Sequence, residues 1–296
     1  MTAEGRARLL GLSAVLLWST VATAFKLGLD RLRPAQLLVW ATVSSLVVLG
    51  LVLAIRGRLG LAFCARRNQY LVCAGLGLLN PFLYYTVLFS AYDRLPAQIA
   101  QPLNYTWALT LSWLSIPLLH HRFHRRDLLA GLICYAGVVI ISTGGRLDGM
   151  AYDPLGIALA LGSTVIWALY WIGNTRSDLD PVVGLFLGFL FALPLVIAYA
   201  MFTTGLSAGG IGGLSTAAYI GTFEMGLTYV LWLSALKSTR NASRVANLIF
   251  LSPFLSLVLI WLVLGESIRS STPLGLVLIV AGLIAQRQSE ARDQKP

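Results

Sequence analysis

The chain is a succession of apolar runs, each long enough to cross a bilayer, with only short polar breaks between them. About 20 apolar residues cover the hydrocarbon core as an α-helix, and the runs fall near residues 7–28, 33–55, 69–91, 96–118, 127–144, 154–174, 181–203, 213–236, 242–264 and 272–288. Ten crossings use about two thirds of such a chain, which leaves short loops and no room for a soluble domain. Charged residues make up 11% of the 296 positions, where a soluble domain carries roughly a quarter. The expected fold is therefore an all-α integral membrane protein of ten transmembrane helices. Proline, glycine and charge punctuate the runs, at Arg33-Pro34, Arg66-Arg67, Leu95-Pro96, Asp153-Pro154, Asp180-Pro181, Gly209-Gly210 and Thr272-Pro273. The spacing Gly184-xxx-Gly188 suits close helix packing in lipid.

A net charge of +10 raises the question of nucleic acid, but the placement of the charge answers it differently. With the N-terminus inside, Arg6, Arg8, Arg56, Arg58, Arg66, Arg67, Arg122, Arg125, Arg126, Arg176, Lys237, Arg240, Arg244, Arg287, Arg292 and Lys295 all fall on the cytoplasmic side. Lys26, Arg31, Arg33, Arg94, Arg146 and Arg269 fall on the other, so the split of the 22 basic residues is 16 to 6. Cytoplasmic loops concentrate Lys and Arg in this way. The bias supports ten spans with both termini cytoplasmic and accounts for the basic pI without a nucleic-acid partner. Arg6, Arg8 and the Ala22-Thr23-Ala24 stretch resemble a signal peptide, yet the apolar run continues to Phe25, and it reads as an uncleaved first helix. Cys64, Cys73 and Cys134 form no CxxC pair and read as buried thiols. The sequons at Asn104 and Asn241 fall in a span and on the cytoplasmic side, so they give no sign of glycosylation.

The two halves echo one another. Leu16-Leu17-Trp18 matches Val165-Ile166-Trp167 at an offset of 149, and Leu79-Asn80 with Tyr85 matches Phe223-Glu224 with Tyr229 at 144. Ala130 and Gly137 match Gly275 and Gly282 at 145. Five spans per half is an odd number, so residues 146–296 are expected to sit upside down relative to 1–145. Inverted repeats are a transporter architecture, with the substrate site near the midplane where the halves meet.

Several of these residues resemble a known family. Trp18 in mid-helix, Lys26, the Pro34-led second helix, and the run from Asn247 to Ser252-Pro253 closed by Leu264-Gly265-Glu266 look like the EamA-type drug/metabolite transporters. The likeness covers nearly the whole chain and is strongest to the YddG-type amino-acid exporters. It implies ten helices in two inverted five-helix repeats around a cavity lined by helices 1, 3, 4, 6, 8 and 9, with helices 5 and 10 at the periphery. One departure is that the counterpart of Ser252-Pro253 in helix 4 is Trp107-Ala108, with Pro102 five residues earlier.

Glu224 is the sharpest single signal, a carboxyl midway through a span, where it is costly unless paired, hydrated or protonated. Either it faces the cavity, to meet a cationic amine or take a coupling proton, or it ties helix 8 to its neighbours. Its repeat counterpart Asn80 precedes Pro81, which removes a hydrogen bond to the Gly77 carbonyl, and Tyr84 follows one turn on. These suit an amino-acid backbone, or else a kinked helix satisfying itself. Trp18, Trp167, Tyr170 and Trp171 offer aromatic walls for apolar side chains or cations. Gln101 and Tyr105 share a face at i,i+4, and Asn247 with Ser252 adds polar groups in helix 9. Pro81, Pro102 and Pro253 mark helix breaks or hinges. Lys26 has two readings: it meets a substrate carboxylate or snorkels to the interface.

His120, His121 and His124 cluster in an Arg-rich cytoplasmic segment and read as a solvated basic loop. The cluster is similar to the HHxxxD of acyltransferases, but position 125 is Arg. No metal or cofactor is expected. A lipid-modifying enzyme would need paired carboxylates, a metal set or a nucleophile with its base near the interface, and none of these is evident. No GxxxxGK[ST] motif occurs, so ATP is not a direct energy source within this chain. The expectation is a secondary transporter of a bacterial inner membrane that exports amino acids, aromatic or hydrophobic ones as the resemblance implies, by alternating access. Hydrophobic cations or drugs are the alternative cargo. A monomer surrounded by lipid is expected, with oligomers left open.

Overall fold

The computed structural model describes residues 3–119, 125–146, 151–175, 177–238 and 247–293, side chains at 3, 119, 125–128, 236, 237, 247 and 286–293 excepted. It is all-helical, 86% helix, with no strand among the described residues. The helices are α1 (Ala3–Ser19), α2 (Val21–Leu29), α3 (Pro34–Ile55), α4 (Arg67–Gly77), α5 (Tyr84–Arg94), α6 (Ala97–Tyr105) and α7 (Trp107–Leu119). They continue with α8 (Arg125–Thr143), α9 (Pro154–Asn174), α10 (Pro181–Thr203), α11 (Gly210–Tyr219), α12 (Thr228–Ser238), α13 (Ser252–Leu259) and α14 (Ser271–Asp293).

Five helical stretches, Glu4–Leu29, Pro34–Ile55, Arg67–Arg94, Pro154–Asn174 and Pro181–Thr203, are long and apolar enough to cross a membrane. Leu129–Thr143, Leu248–Leu264 and Ser271–Ala285 are shorter apolar helices. The expected span 96–118 is two helices rather than one, because the chain breaks at Thr106, whose hydroxyl turns back to the Leu103 carbonyl at 2.7 Å. The expected span 242–264 is described only from Asn247, as a 3₁₀ turn to Leu251, then α13, then a π-helical end at Ile260–Leu264. Wider π-helical turns also join α4 to α5 (Leu78–Leu83) and α11 to α12 (Ile220–Leu227).

Helix starts follow from local chemistry. Pro154 and Pro181 occupy first-turn positions where a missing N–H costs nothing, and Asp153 and Asp180 cap the turns. Asp153 accepts from Leu155 N at 3.0 Å and pairs with Arg94 at 3.2 Å. Asp180 accepts from Val182 N at 2.9 Å and pairs with Arg58 at 2.6 Å.

With lipid outside, helices are held by close packing and interhelical hydrogen bonds rather than by exclusion of water. A Cβ on Gly77 would strike the Gly188 carbonyl, so α4 and α10 touch backbone to backbone there. Gly184, its expected partner in the small-residue motif, has nothing within 4 Å of a Cβ position; only one of the two glycines lies at the crossing. Along the α8–α14 pair, a Cβ on Gly137 would come 2.5 Å from the Gly275 carbonyl, and one on Gly282 would come 2.7 Å from that of Ala130. A Cβ on Gly221 would strike the Ala41 carbonyl of α3.

Polar ties close one end of the bundle. The hairpin between α5 and α6 is gripped from both sides. Lys26 donates to the carbonyls of Tyr92 (2.9 Å) and Leu95 (3.2 Å), and the Glu266 carboxylate accepts from the Ala97 and Gln98 amides at 2.9 and 3.2 Å. A cation at a helix C-terminus and an anion at the next N-terminus are the arrangement that the helix dipole favours. Gln98 adds a bond to the Ser267 carbonyl and accepts from Arg269 N and Thr272 Oγ1.

Candidate functional site

Glu224 lies in the π-helical turn of the α11–α12 helix and is 8% exposed. The wide turn leaves the Phe223 carbonyl to the Thr228 hydroxyl, five residues on. One carboxyl oxygen, Oε1, accepts from the Tyr85 hydroxyl at 3.1 Å, while Oε2 has no hydrogen-bond partner in the protein. The Trp18 indole borders the same carboxyl. Among the described residues the ion pairs are Arg58–Asp180 and Arg94–Asp153, so no cation there pairs with Glu224.

Aromatic rings surround this carboxyl. Trp18 meets Tyr229 at 5.9 Å and Trp232 at 5.3 Å between centroids, edge to face. Trp167 stacks on Tyr84 at 4.4 Å and on Tyr170 at 5.4 Å, and also reaches Tyr229 at 6.1 Å. Tyr84 touches Tyr85 at 4.9 Å, which closes the chain of rings back onto the carboxylate ligand. Trp18 and Trp167, from α1 and α9, therefore converge on Tyr229 of α12, Trp167 buried and Trp18 half-buried. Trp171 packs edge-on against Trp167 at 6.0 Å.

Asn80 is 1% exposed, in an extended conformation inside the π-helical turn, and neither atom of its amide has a protein hydrogen-bond partner. The Tyr170 phenol borders it. Tyr84, one turn on from this amide, turns its hydroxyl to Asn104 Oδ1 at 3.4 Å, and Asn104 donates to Ser163 Oγ at 2.9 Å. Gln101 is 4% exposed with Oε1 unpartnered. Tyr105 borders Ser252, whose hydroxyl also meets that of Ser19 at 3.3 Å. Pro81 and Pro102 lie inside helical turns and Pro253 in the first turn of α13. Lys26, near the end of its helix, directs its ammonium to the Tyr92 and Leu95 carbonyls. The side chain of Asn247 and the segment carrying His120, His121 and His124 lie outside the described residues.

The structure thus brings together Trp18, Tyr84, Trp167, Tyr170 and Glu224, with Asn80 beside Tyr170. Not expected from the sequence were Tyr85 as the ligand of Glu224, Tyr229 as the ring shared by both tryptophans, and Asn104. Tyr85 and Tyr229 had a signal, because they are the aligned pair that follows Asn80 and Glu224 by five residues in each half. Asn104 had none beyond a polar residue within an apolar run.

A family model described as the EamA-like transporter family matches residues 5–143 and again 154–285. An uncharacterized transporter of Clostridium kluyveri is 29% identical over 54% of this chain and 54% of its own length. The uncharacterized transporter YvbV of Bacillus subtilis is 27% identical over 72% of this chain and 70% of its own. The aromatic amino acid exporter YddG of Ancylobacter novellus is 26% identical over 93% and 95%. A protein crystal structure of 22% identity covers 98% of this chain and 99% of its own with a TM-score of 0.59, a likeness of fold.

Proposed function

This multi-pass membrane chain belongs to the EamA-like transporter family, and from that premise we propose that it is a secondary transporter exporting amino acids, aromatic and hydrophobic ones foremost, by alternating access. The observation that carries the reading is Glu224, a buried carboxyl held by Tyr85, without a hydrogen-bond partner at Oε2 and walled by aromatic rings. A substrate ammonium would meet Oε2 and the faces of Trp18 and Tyr229, while an aromatic side chain would lie against Trp167 and Tyr84. Asn80, Gln101, Tyr105 and Ser252 supply neutral hydrogen-bonding groups for the rest of the backbone, with Asn247 added on sequence grounds. The likeness to an aromatic amino acid exporter over nearly the full length supports this cargo.

The mechanics proposed are two inverted five-helix repeats, 1–145 and 146–296, rocking about the shared pocket, with Pro81, Pro102 and Pro253 at the bends. The family model's match to each half supports the repeat. So do the paired π-helical turns at 78–83 and 220–227. The glycine crossings point the same way. Shifted by 145, the contact of Gly137 with Gly275 becomes that of Gly282 with Ala130, and shifted by 144, Gly77 becomes Gly221. The basic-residue bias of 16 to 6 supports a bacterial inner membrane with both termini cytoplasmic.

A hydrophobic cation is the second reading, favoured by the lack of a described cation facing the pocket to meet a substrate carboxylate. Efflux of labelled phenylalanine from proteoliposomes, with and without a pH gradient and against a lipophilic cation as competitor, separates the two. E224Q is expected to slow transport and abolish its response to the gradient. If E224Q retains both rate and response, the carboxyl carries no coupling. If the cation moves and phenylalanine does not, the cargo is the cation.

A further inference from the structure

A cavity of about 350 Å³, whose lining does not include Glu224, opens on the flank of the bundle between α2, α11 and the Leu259–Val263 stretch. Its back wall is one face of the first helix, where Thr20, Thr23 and Leu27 recur at i, i+3 and i+7. Thr216 and Tyr219 line it from α11 and Val263 from the opposite side. Leu27 and Val263 are 39% and 54% exposed, and exposed apolar surface along a span faces lipid, so the mouth opens into the bilayer. From Leu27 down to Thr20 the cavity runs about 10 Å along the helix axis, most of the depth of one leaflet.

The lining contains no charged side chain, but it is rich in hydroxyls. Most of them are satisfied. Thr20 Oγ1 and Tyr219 OH bond one another at 2.7 Å, and Thr216 donates to the Gly212 carbonyl at 2.8 Å. Thr23 is the exception, 6% exposed with no hydrogen-bond partner. A helical Ser or Thr ordinarily returns its hydroxyl to a carbonyl one turn back, as Ser19 does to Val15 and Thr20 to Leu17 on this same stretch of chain. Thr23 forgoes that bond and stands at the back of the cavity, where an unmade hydrogen bond is costly.

We propose that this flank cavity binds an uncharged amphiphile dissolved in the bilayer, its hydroxyl or carbonyl on Thr23 and its hydrocarbon along Leu27, Leu259 and Val263. A cation or carboxylate would enter without a counter-ion, at a prohibitive cost in hydrocarbon. A plain hydrocarbon would leave Thr23 as unpartnered as before. The volume sits at the small end of ligand pockets, about 300–1,000 Å³, which fits a single chain with one polar group rather than a whole phospholipid.

The test uses the full chain in lipid nanodiscs and a diazirine-bearing dodecanol as photoprobe, with adducts mapped by peptide mass spectrometry. Adducts are expected on the peptides holding residues 20–27, 215–219 and 259–263, suppressed by excess dodecanol but not by dodecane or dodecylammonium. Thr23→Val, which keeps the shape and removes the hydroxyl, should lower labelling about 3- to 10-fold, the worth of one hydrogen bond. Ala24→Phe, which fills the cavity, should abolish it, and Val263→Trp at the mouth serves where Ala24→Phe fails to fold. Labelling spread evenly over the lipid-facing helices, T23V labelling like the native chain, or displacement by dodecane as effective as by dodecanol would each overturn the site.

Discussion

Replacing Glu266 by Ala removes the acceptor from the two main-chain amides that open α6, Ala97 N at 2.9 Å and Gln98 N at 3.2 Å. A hydrogen bond to a charged group contributes about 1.5–3 kcal/mol, and loss of an N-cap costs about 0.5–2 kcal/mol. The two bonds form one cap, and at a half-buried site the freed amides regain part of their hydration. About 2 kcal/mol is the resulting cost. At about 2–4 °C per kcal/mol for chains somewhat shorter than this one, the midpoint should fall by about 4–8 °C. The protein carries its own reporter, for Cys73 and Cys134 are buried, while Cys64, expected from the sequence to be buried as well, is exposed in the short segment after Phe63. In a Cys64→Ser background, a thiol-reactive dye in a detergent melt at one fixed scan rate reads exposure of the two buried thiols. Glu266→Gln keeps one carbonyl oxygen without the charge and should lose about half as much. A midpoint unchanged in E266A, or a larger drop in E266Q than in E266A, would refute the capping account.

Lys26→Met removes the ammonium from the Tyr92 and Leu95 carbonyls and should cost about 1–2 kcal/mol in the same melt, while substrate competition profiles stay as they are. A changed substrate preference would return Lys26 to the pocket. Gly77→Ala drives a methyl into the Gly188 carbonyl and should abolish the cooperative melt, whereas Gly184→Ala, with open space at its Cβ position, should raise the midpoint by up to a few degrees for a gain of about 1 kcal/mol. Equal behaviour of the two alanine variants would mean that the backbone contact carries no packing role.

Hydropathy and helix-start chemistry made most helices legible. Asp153-Pro154 and Asp180-Pro181 each declare a first turn in two letters, and the structure begins α9 and α10 there. The breaks were less visible. Thr106 interrupts the 96–118 run because its hydroxyl turns back to the Leu103 carbonyl, a local choice that a Thr in mid-run does not announce. The π-helical turn holding Glu224 likewise depends on Thr228 catching the Phe223 carbonyl, a bond that no periodicity records. For the site, residue chemistry picked out the unusual groups (Glu224, Asn80, Trp18, Trp167), since a polar or bulky side chain in mid-span stands out. It could not say which partner each one finds. Tyr84 and Tyr85 are adjacent in sequence, yet one faces Asn104 and the other Glu224. The Gln98–Glu266 junction joins loops some 170 positions apart, visible only once the helices are assembled.

Asn80 allows stability and function to be set against one another. Both atoms of its amide are buried without a protein partner, and each such group costs about 1–3 kcal/mol. A residue kept for the fold would not be left in that condition, and strain of this kind gathers where a ligand completes the site. Asn80→Leu, of nearly the same shape, is therefore expected to stabilise the chain by about 1–3 kcal/mol. The Tyr170 phenol beside it loses a polar contact with the amide, which offsets part of that gain. In the same variant, amino-acid efflux should fall to background, because the group that would hold the substrate backbone is gone. Loss of stability together with loss of efflux would mean instead that the amide is part of the core, with its partners supplied inside the protein. Gain of stability with efflux intact would remove Asn80 from the pocket altogether. Only the opposite movement of the two readouts agrees with a polar group held in readiness for cargo.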